Sequence, residues 1–106
     1  MQPPEKLLRH AVLFAFKPEA APEHIAAIEA AFRALPEAIP EIAGFEWGLN
    51  NSPEGKAEGF THLFFLTFRD EAGRDAYLPH PAHKAFGALL RPHLEKVLVF
   101  DYWSQG

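Results

Sequence analysis

No cysteine occurs among the 106 residues, which excludes a disulfide framework, a thiolate metal site and a cysteine nucleophile. Long apolar runs are also missing: nothing approaches the roughly 18 consecutive apolar residues of a membrane span. The opening Met1-Gln2-Pro3-Pro4-Glu5-Lys6 has neither the basic start nor the apolar centre of a secretory signal, so a cytoplasmic location is expected. Positive charge is in deficit. Ten Lys and Arg stand against fourteen Asp and Glu, for a net charge of −4 with both signs interleaved, so no basic stripe exists to follow a phosphate backbone. Neither nucleic acid nor a membrane is expected as a partner.

What the chain does contain is apolar and aromatic. Hydrophobic residues make up 48%, with ten Phe, enough to build a core and too much for a disordered chain. Because domains typically run to about 100–150 residues, a single domain over residues 1–106 is expected.

Periodicity then places the elements. In residues 9–16, His10, Val12, Phe14 and Phe16 alternate with Ala11, Leu13 and Ala15, so a short strand is apolar on both faces. Pro22 suits a first helical turn, and Ile25, Ile28, Phe32, Leu35 and Ile39 follow at amphipathic spacing until Pro40 stops the helix. Residues 44–50 read as a second strand, Asn50-Asn51-Ser52-Pro53 as a turn, and residues 61–68 as a third strand. Helical patterns over 70–77 and 82–95 are separated by Pro79 and Pro81, and residues 97–102 close as a fourth strand.

The order β-α-β-β-α-β is that of an α+β, ferredoxin-like split βαβ fold. Right-handed crossovers and the usual strand order 4-1-3-2 make every neighbouring pair antiparallel. Two helices cover one sheet face, yet three of the strands are apolar on both. No segment remains to cover the second face, so a homodimer through sheet-to-sheet packing, a dimeric α/β barrel, is expected.

Topology also gathers chemistry. The start of the first strand and the end of the fourth share one sheet edge, which makes His10 and Asp101 neighbours. The helical layer leaves the third strand at that edge, bringing Tyr77, His80 and His83 there. A His beside a carboxylate is an acid/base device, and a nearby phenol can donate to an oxyanion. His83 is therefore expected as base or acid, hydrogen-bonded to Asp101 as its orienter, with Tyr77 as donor; His62 should sit at the far end of the same cavity. The competing reading is that these residues satisfy backbone groups exposed by the proline break. Metal coordination by His10, His83 and Asp101 matches no ligand spacing, so no metal is expected. His24 and His93 read as surface residues within helices.

Taken together, His10-Ala11-Val12-Leu13-Phe14-Ala15-Phe16-Lys17, Ile39-Pro40, Trp47-Gly48, Glu58-Gly59-Phe60-Thr61-His62, Tyr77-Leu78-Pro79-His80-Pro81-Ala82-His83 and Phe100-Asp101-Tyr102 resemble the stress-responsive dimeric A+B barrel (Dabb) proteins over nearly the whole chain. The resemblance implies paired ferredoxin-like subunits and a small apolar or acyl ligand. It also implies cofactor-independent chemistry like that of the family's polyketide cyclases, in which Tyr77 and His83 would be the catalytic pair and Asp101 their support. His10, His62 and His80, with Phe32 and Ile28, would line the pocket, and Lys84 would help shape it. Other members are oligomeric stress proteins without a known reaction, and related dimeric barrels serve as antibiotic-biosynthesis monooxygenases. Both remain alternatives. Some plant members hold magnesium on main-chain carbonyls after the first helix, which here would be residues 36–42.

Overall fold

The computed structural model describes residues 6–105, so all but Lys6 of the opening segment read for a targeting signal lies outside the described residues. The elements are β1 (Leu8–Phe16), α1 (Pro22–Arg33), α2 (Leu35–Ala38), β2 (Gly44–Leu49), β3 (His62–Phe68), α3 (Glu71–Tyr77), α4 (Pro81–Leu90), a 3₁₀ turn (Arg91–His93) and β4 (Leu94–Trp103). The four strands form one antiparallel sheet in the order β2-β3-β1-β4. This is the expected ferredoxin-like arrangement, and no helix among the described residues is long and apolar enough to cross a membrane.

Two helices are shorter than their apolar patterns suggest, each because of a proline. The expected helix over 22–39 divides at Ala34 into α1 and α2, since Pro36 has no N–H to donate and its ring crowds the carbonyl four residues earlier. The expected helix over 82–95 ends at Leu90. Pro92 turns the chain through the 3₁₀ segment, and Leu94 and Glu95 enter β4 instead. His93 therefore lies in that turn rather than within a helix, with its ring 4.4 Å from that of His24.

Register sorts the side chains. Leu8, His10, Val12 and Phe14 of β1 lie opposite Phe68, Leu66, Phe64 and His62 of β3, and this row faces the helices. Its core includes Ile28, Phe32, Ile39, Phe64, Leu66, Phe68, Phe86 and Leu90. Phe32 lies flat on Phe64, with centroids 4.1 Å apart and ring planes 1° apart, and Phe86 meets Phe32 at 4.8 Å. The other face carries Leu13, Leu63, Leu98, Phe100 and Tyr102, of which Leu98 is 46% and Phe100 60% exposed. β4 is an edge strand, and its helix-side Val97 and Val99 are also about half exposed. A long apolar edge left uncovered invites association.

Asp70 caps α3, its Oδ1 accepting from the Gly73 N–H at 2.8 Å. This bond sets the start of the short helix that ends on Tyr77. Asp70→Ala is expected to lower stability by about 1 kcal/mol, measured by urea unfolding; an unchanged midpoint would show that the cap carries no weight.

Candidate functional site

The proline break between α3 and α4 dictates the local hydrogen bonds. In an unbroken helix the Ala82 N–H would reach back to the Leu78 carbonyl. Pro79 and Pro81 prevent this, and the Ala82 N–H donates to His80 Nδ1 at 3.0 Å, making His80 the N-cap of α4. The Leu78 carbonyl is left over. His83 Nδ1 takes it at 2.8 Å. A carbonyl only accepts, so Nδ1 carries the proton and the neutral ring keeps its lone pair on Nε2, which makes no hydrogen bond among the described residues. The break thus holds an imidazole, half-buried, as an acceptor.

Tyr77, 1% exposed, packs against two imidazoles, its centroid 4.5 Å from that of His83 and 5.6 Å from that of His10. Its hydroxyl makes no hydrogen bond among the described residues, and burial pushes the phenol pKa well above its ordinary value of 10.0. The group stays a neutral O–H donor. Its proton affinity is higher folded than unfolded, so the stability it supports is present below pH 10 and lost as the pH climbs beyond it. Tyr77→Phe is expected to change stability by less than about 0.5 kcal/mol at pH 7 and to soften the loss above pH 10. Alkaline unfolding of the two proteins checks this; a Tyr77→Phe protein much weaker at pH 7 would make the hydroxyl structural.

Register pairs His10 with Asp101 across β1 and β4, and His10 Nδ1 donates to Asp101 Oδ1 at 2.7 Å. The expected adjacency of these two residues is present. The expected hydrogen bond from His83 to Asp101 is not: Asp101 serves His10, and His83 is turned to the Leu78 carbonyl. Sequence reasoning also missed Arg74, whose Nη1 reaches Asp101 Oδ2 at 3.4 Å and whose Nε donates to Asp75 Oδ1 at 3.1 Å. The hydrogen bond it donates to Asp75 and that carboxylate's charge, and then the charge of Asp101, hold this guanidinium above its ordinary range. Its signal was its place three residues before Tyr77, on the same side of α3.

The remaining candidates lie elsewhere. Ile28 and Phe32 are core, at 0% and 2% exposure, because the Phe32 ring fills the space over Phe64 that a pocket would need. His62 occupies the opposite end of the helix-facing row, separated from His10 by Val12, Phe14 and Phe64. Its Nε2 donates to Glu29 Oε2 and its Nδ1 accepts from Thr61 Oγ1, each at 2.7 Å. Both ring nitrogens are satisfied, which leaves none for chemistry. Glu29 was legible as the one carboxylate inside the apolar stripe Ile25, Ile28 and Phe32. Lys84 is exposed on α4. A concavity of about 500 Å³ opens on the other face of the sheet, bordered by Leu13, Leu63, Leu98 and the loop before β3.

Comparison with known proteins bears on what this geometry is for. The family model described as Stress responsive A/B Barrel Domain matches residues 8–104. The chain is 35% identical over 95 residues to the stress-response A/B barrel domain-containing protein HS1 of Arabidopsis thaliana, covering 90% of this chain and 87% of that one. It is 32% identical over 95 residues to olivetolic acid cyclase of Cannabis sativa, covering 90% and 94%. Among solved structures, the hydroxynitrile lyase from Passiflora edulis matches with a TM-score of 0.89 at 29% identity, covering 96% of each chain. A dimeric ferredoxin-like protein of unknown function from Jannaschia sp. matches at 0.78 and 31% identity, covering 91% of this chain and 97% of that one. With the match, the sheet and the core all running from residue 8 to the end of β4, the chain belongs to the stress responsive A/B barrel domain (Dabb) family.

Proposed function

We propose that the corner formed by Tyr77, His83, His10 and Asp101 binds a small carbonyl compound and moves a proton on it. The observation that carries this reading is the His83 tautomer: Nδ1–H is tied to the Leu78 carbonyl at 2.8 Å, which leaves Nε2 as a base. Tyr77, held neutral by burial, donates to the carbonyl oxygen as negative charge develops there. His10, oriented by Asp101, lies 5.6 Å from the Tyr77 ring as a second proton carrier. Removal of a proton beside a carbonyl is the step this set of groups would serve, with His83 Nε2 taking the proton and the Tyr77 hydroxyl donating to the enolate oxygen. A cyclase and a lyase among the relatives support small-molecule chemistry at this corner. The working unit is a homodimer packed sheet to sheet, supported by the apolar open face and by dimeric structural neighbours.

The second reading, a non-catalytic stability protein, draws on the Phe32–Phe64 stack, which closes the space under α1, and on the resemblance to HS1. Deuterium incorporation separates the two. Incubated in D₂O with a panel of small alkyl and aryl ketones and β-keto thioesters, the protein is expected to exchange the hydrogens beside the carbonyl of at least one compound faster than buffer does. Exchange no faster than buffer across the panel, with no perturbation of the Tyr77 or His83 resonances, would favour the stability protein.

A further inference from the structure

Asp101 presents two carboxylate oxygens, and His10 uses only one of them. Oδ1 accepts from Nδ1 of the buried His10 ring at 2.7 Å, and Oδ2 faces Arg74 Nη1 at 3.4 Å. A carboxylate held by a single oxygen turns readily about its last bond, because that torsion is broad and roughly two-fold. An imidazole bonded to it inherits the freedom. Whatever holds Oδ2 therefore governs how firmly His10 is oriented. Arg74 is well placed to do so. Its Nε donates to Asp75 Oδ1 at 3.1 Å and its Nη2 stands 3.7 Å from Glu71 Oε2, both on its own helix. Those two carboxylates are exposed, whereas Arg74 and Asp101 are partly buried. The guanidinium is a rigid plane, so anchoring Nε and Nη2 to α3 also fixes the direction of Nη1, which reaches across to β4. This is the only side-chain hydrogen bond between α3 and β4 among the described residues, and α3 is the helix that ends on Tyr77.

We infer that Arg74 is a positioning residue of this corner: it holds Asp101 Oδ2 so that Oδ1 keeps the His10 imidazole in one orientation beside Tyr77. Its effect on rate rests on the proton-transfer reading proposed above, and its effect on His10 does not. The plainer alternative is an ion pair of no consequence. On stability the two agree, since ion pairs open to solvent contribute little to it. They differ at His10. An idle ion pair leaves the Nδ1 proton of that ring alone, whereas a positioning residue controls how often its bond to Asp101 opens to water.

Two variants of the full chain test this. Arg74→Met keeps the reach of the side chain but loses its charge and every donor, and Arg74→Lys keeps a charge and a donor. In Arg74→Met the His10 Nδ1 proton, followed by ¹H–¹⁵N NMR, is expected to exchange with water about tenfold faster than in the parent chain or more. Arg74→Lys should recover most of that protection, because a charged donor still meets Asp101. The urea midpoint should hardly move in either. With any compound the parent chain acts on, Arg74→Met should lower kcat about tenfold and leave KM alone, as misplacing a proton carrier does. An unchanged His10 proton in Arg74→Met would overturn the role. So would equal acceleration in both variants, which would mean that any change at position 74 loosens the corner, or a parent chain whose His10 carries its proton on Nε2. A parent chain that acts on no carbonyl compound would sink the proton-transfer reading alone, since the His10 proton would still decide the role of Arg74. Should Arg74→Met fail to fold by circular dichroism, Arg74→Gln, also uncharged, takes its place.

Discussion

His83→Ala is expected to keep its fold and to lose carbonyl-assisted proton exchange by about 100- to 10,000-fold, the usual contribution of a positioned general base. The structural cost should be small. The substitution removes one hydrogen bond to the Leu78 carbonyl, whose own residue is 44% exposed, so water can replace the lost donor and the loss should stay near 0.5–1.5 kcal/mol. His83→Asn, which can still donate to that carbonyl but carries no basic nitrogen, separates the two roles. It should restore much of the stability and none of the exchange. Exchange rates beside a thermal melt check both, and a His83→Ala protein with undiminished exchange would place the base elsewhere, with His10 the next candidate.

Phe32→Ala is expected to cost about 3–5 kcal/mol, the range for deleting a fully packed aromatic side chain. Phe32 is 2% exposed and touches the rings of Phe64, Phe86, Phe45 and Phe14 at 4.1 to 6.1 Å. Those rings sit on β3, α4, β2 and β1, so the hole would open where the helices meet the sheet and no single neighbour could collapse into it. Domains have only about 5–15 kcal/mol of stability in all, so the loss should show as a large drop in the urea midpoint. A cost below 1 kcal/mol would mean that the space under α1 is already loose, and it would restore Phe32 and Ile28 as pocket walls.

Much of this was legible in the residues. Alternation of His10, Val12, Phe14 and Phe16 set the strand and its faces, and antiparallel order alone brought His10 to Asp101, where the structure pairs them at 2.7 Å. Helix ends at Leu90 and Arg33 were less legible because the apolar spacing continues past Pro92 and Pro36, and the steric demands of proline override the pattern. The partner of Asp101 was the harder question. Two histidines compete for it, and the outcome is settled by an accounting of backbone groups: once Ala82 donates to His80, the Leu78 carbonyl needs a donor and His83 is within reach. The two readings of the Tyr77–His83 segment, backbone satisfaction and chemistry, therefore do not exclude each other. His80 and His83 do satisfy groups freed by the break, and in His83 that same bond is what frees Nε2. Periodicity could not reveal that the space over Phe64 is filled, since the Ile25, Ile28 and Phe32 stripe looks the same whether it lines a pocket or closes one.

The most direct measurement is the tautomeric state of the histidine side chains by long-range ¹H–¹⁵N correlation at mildly alkaline pH. His83 and His10 should both show a protonated Nδ1 and an unprotonated, basic Nε2, whereas His62 should show the proton on Nε2, toward Glu29. A His83 ring with its proton on Nε2, or exchanging freely between the two tautomers, would contradict the claim that the proline break fixes a base at this corner.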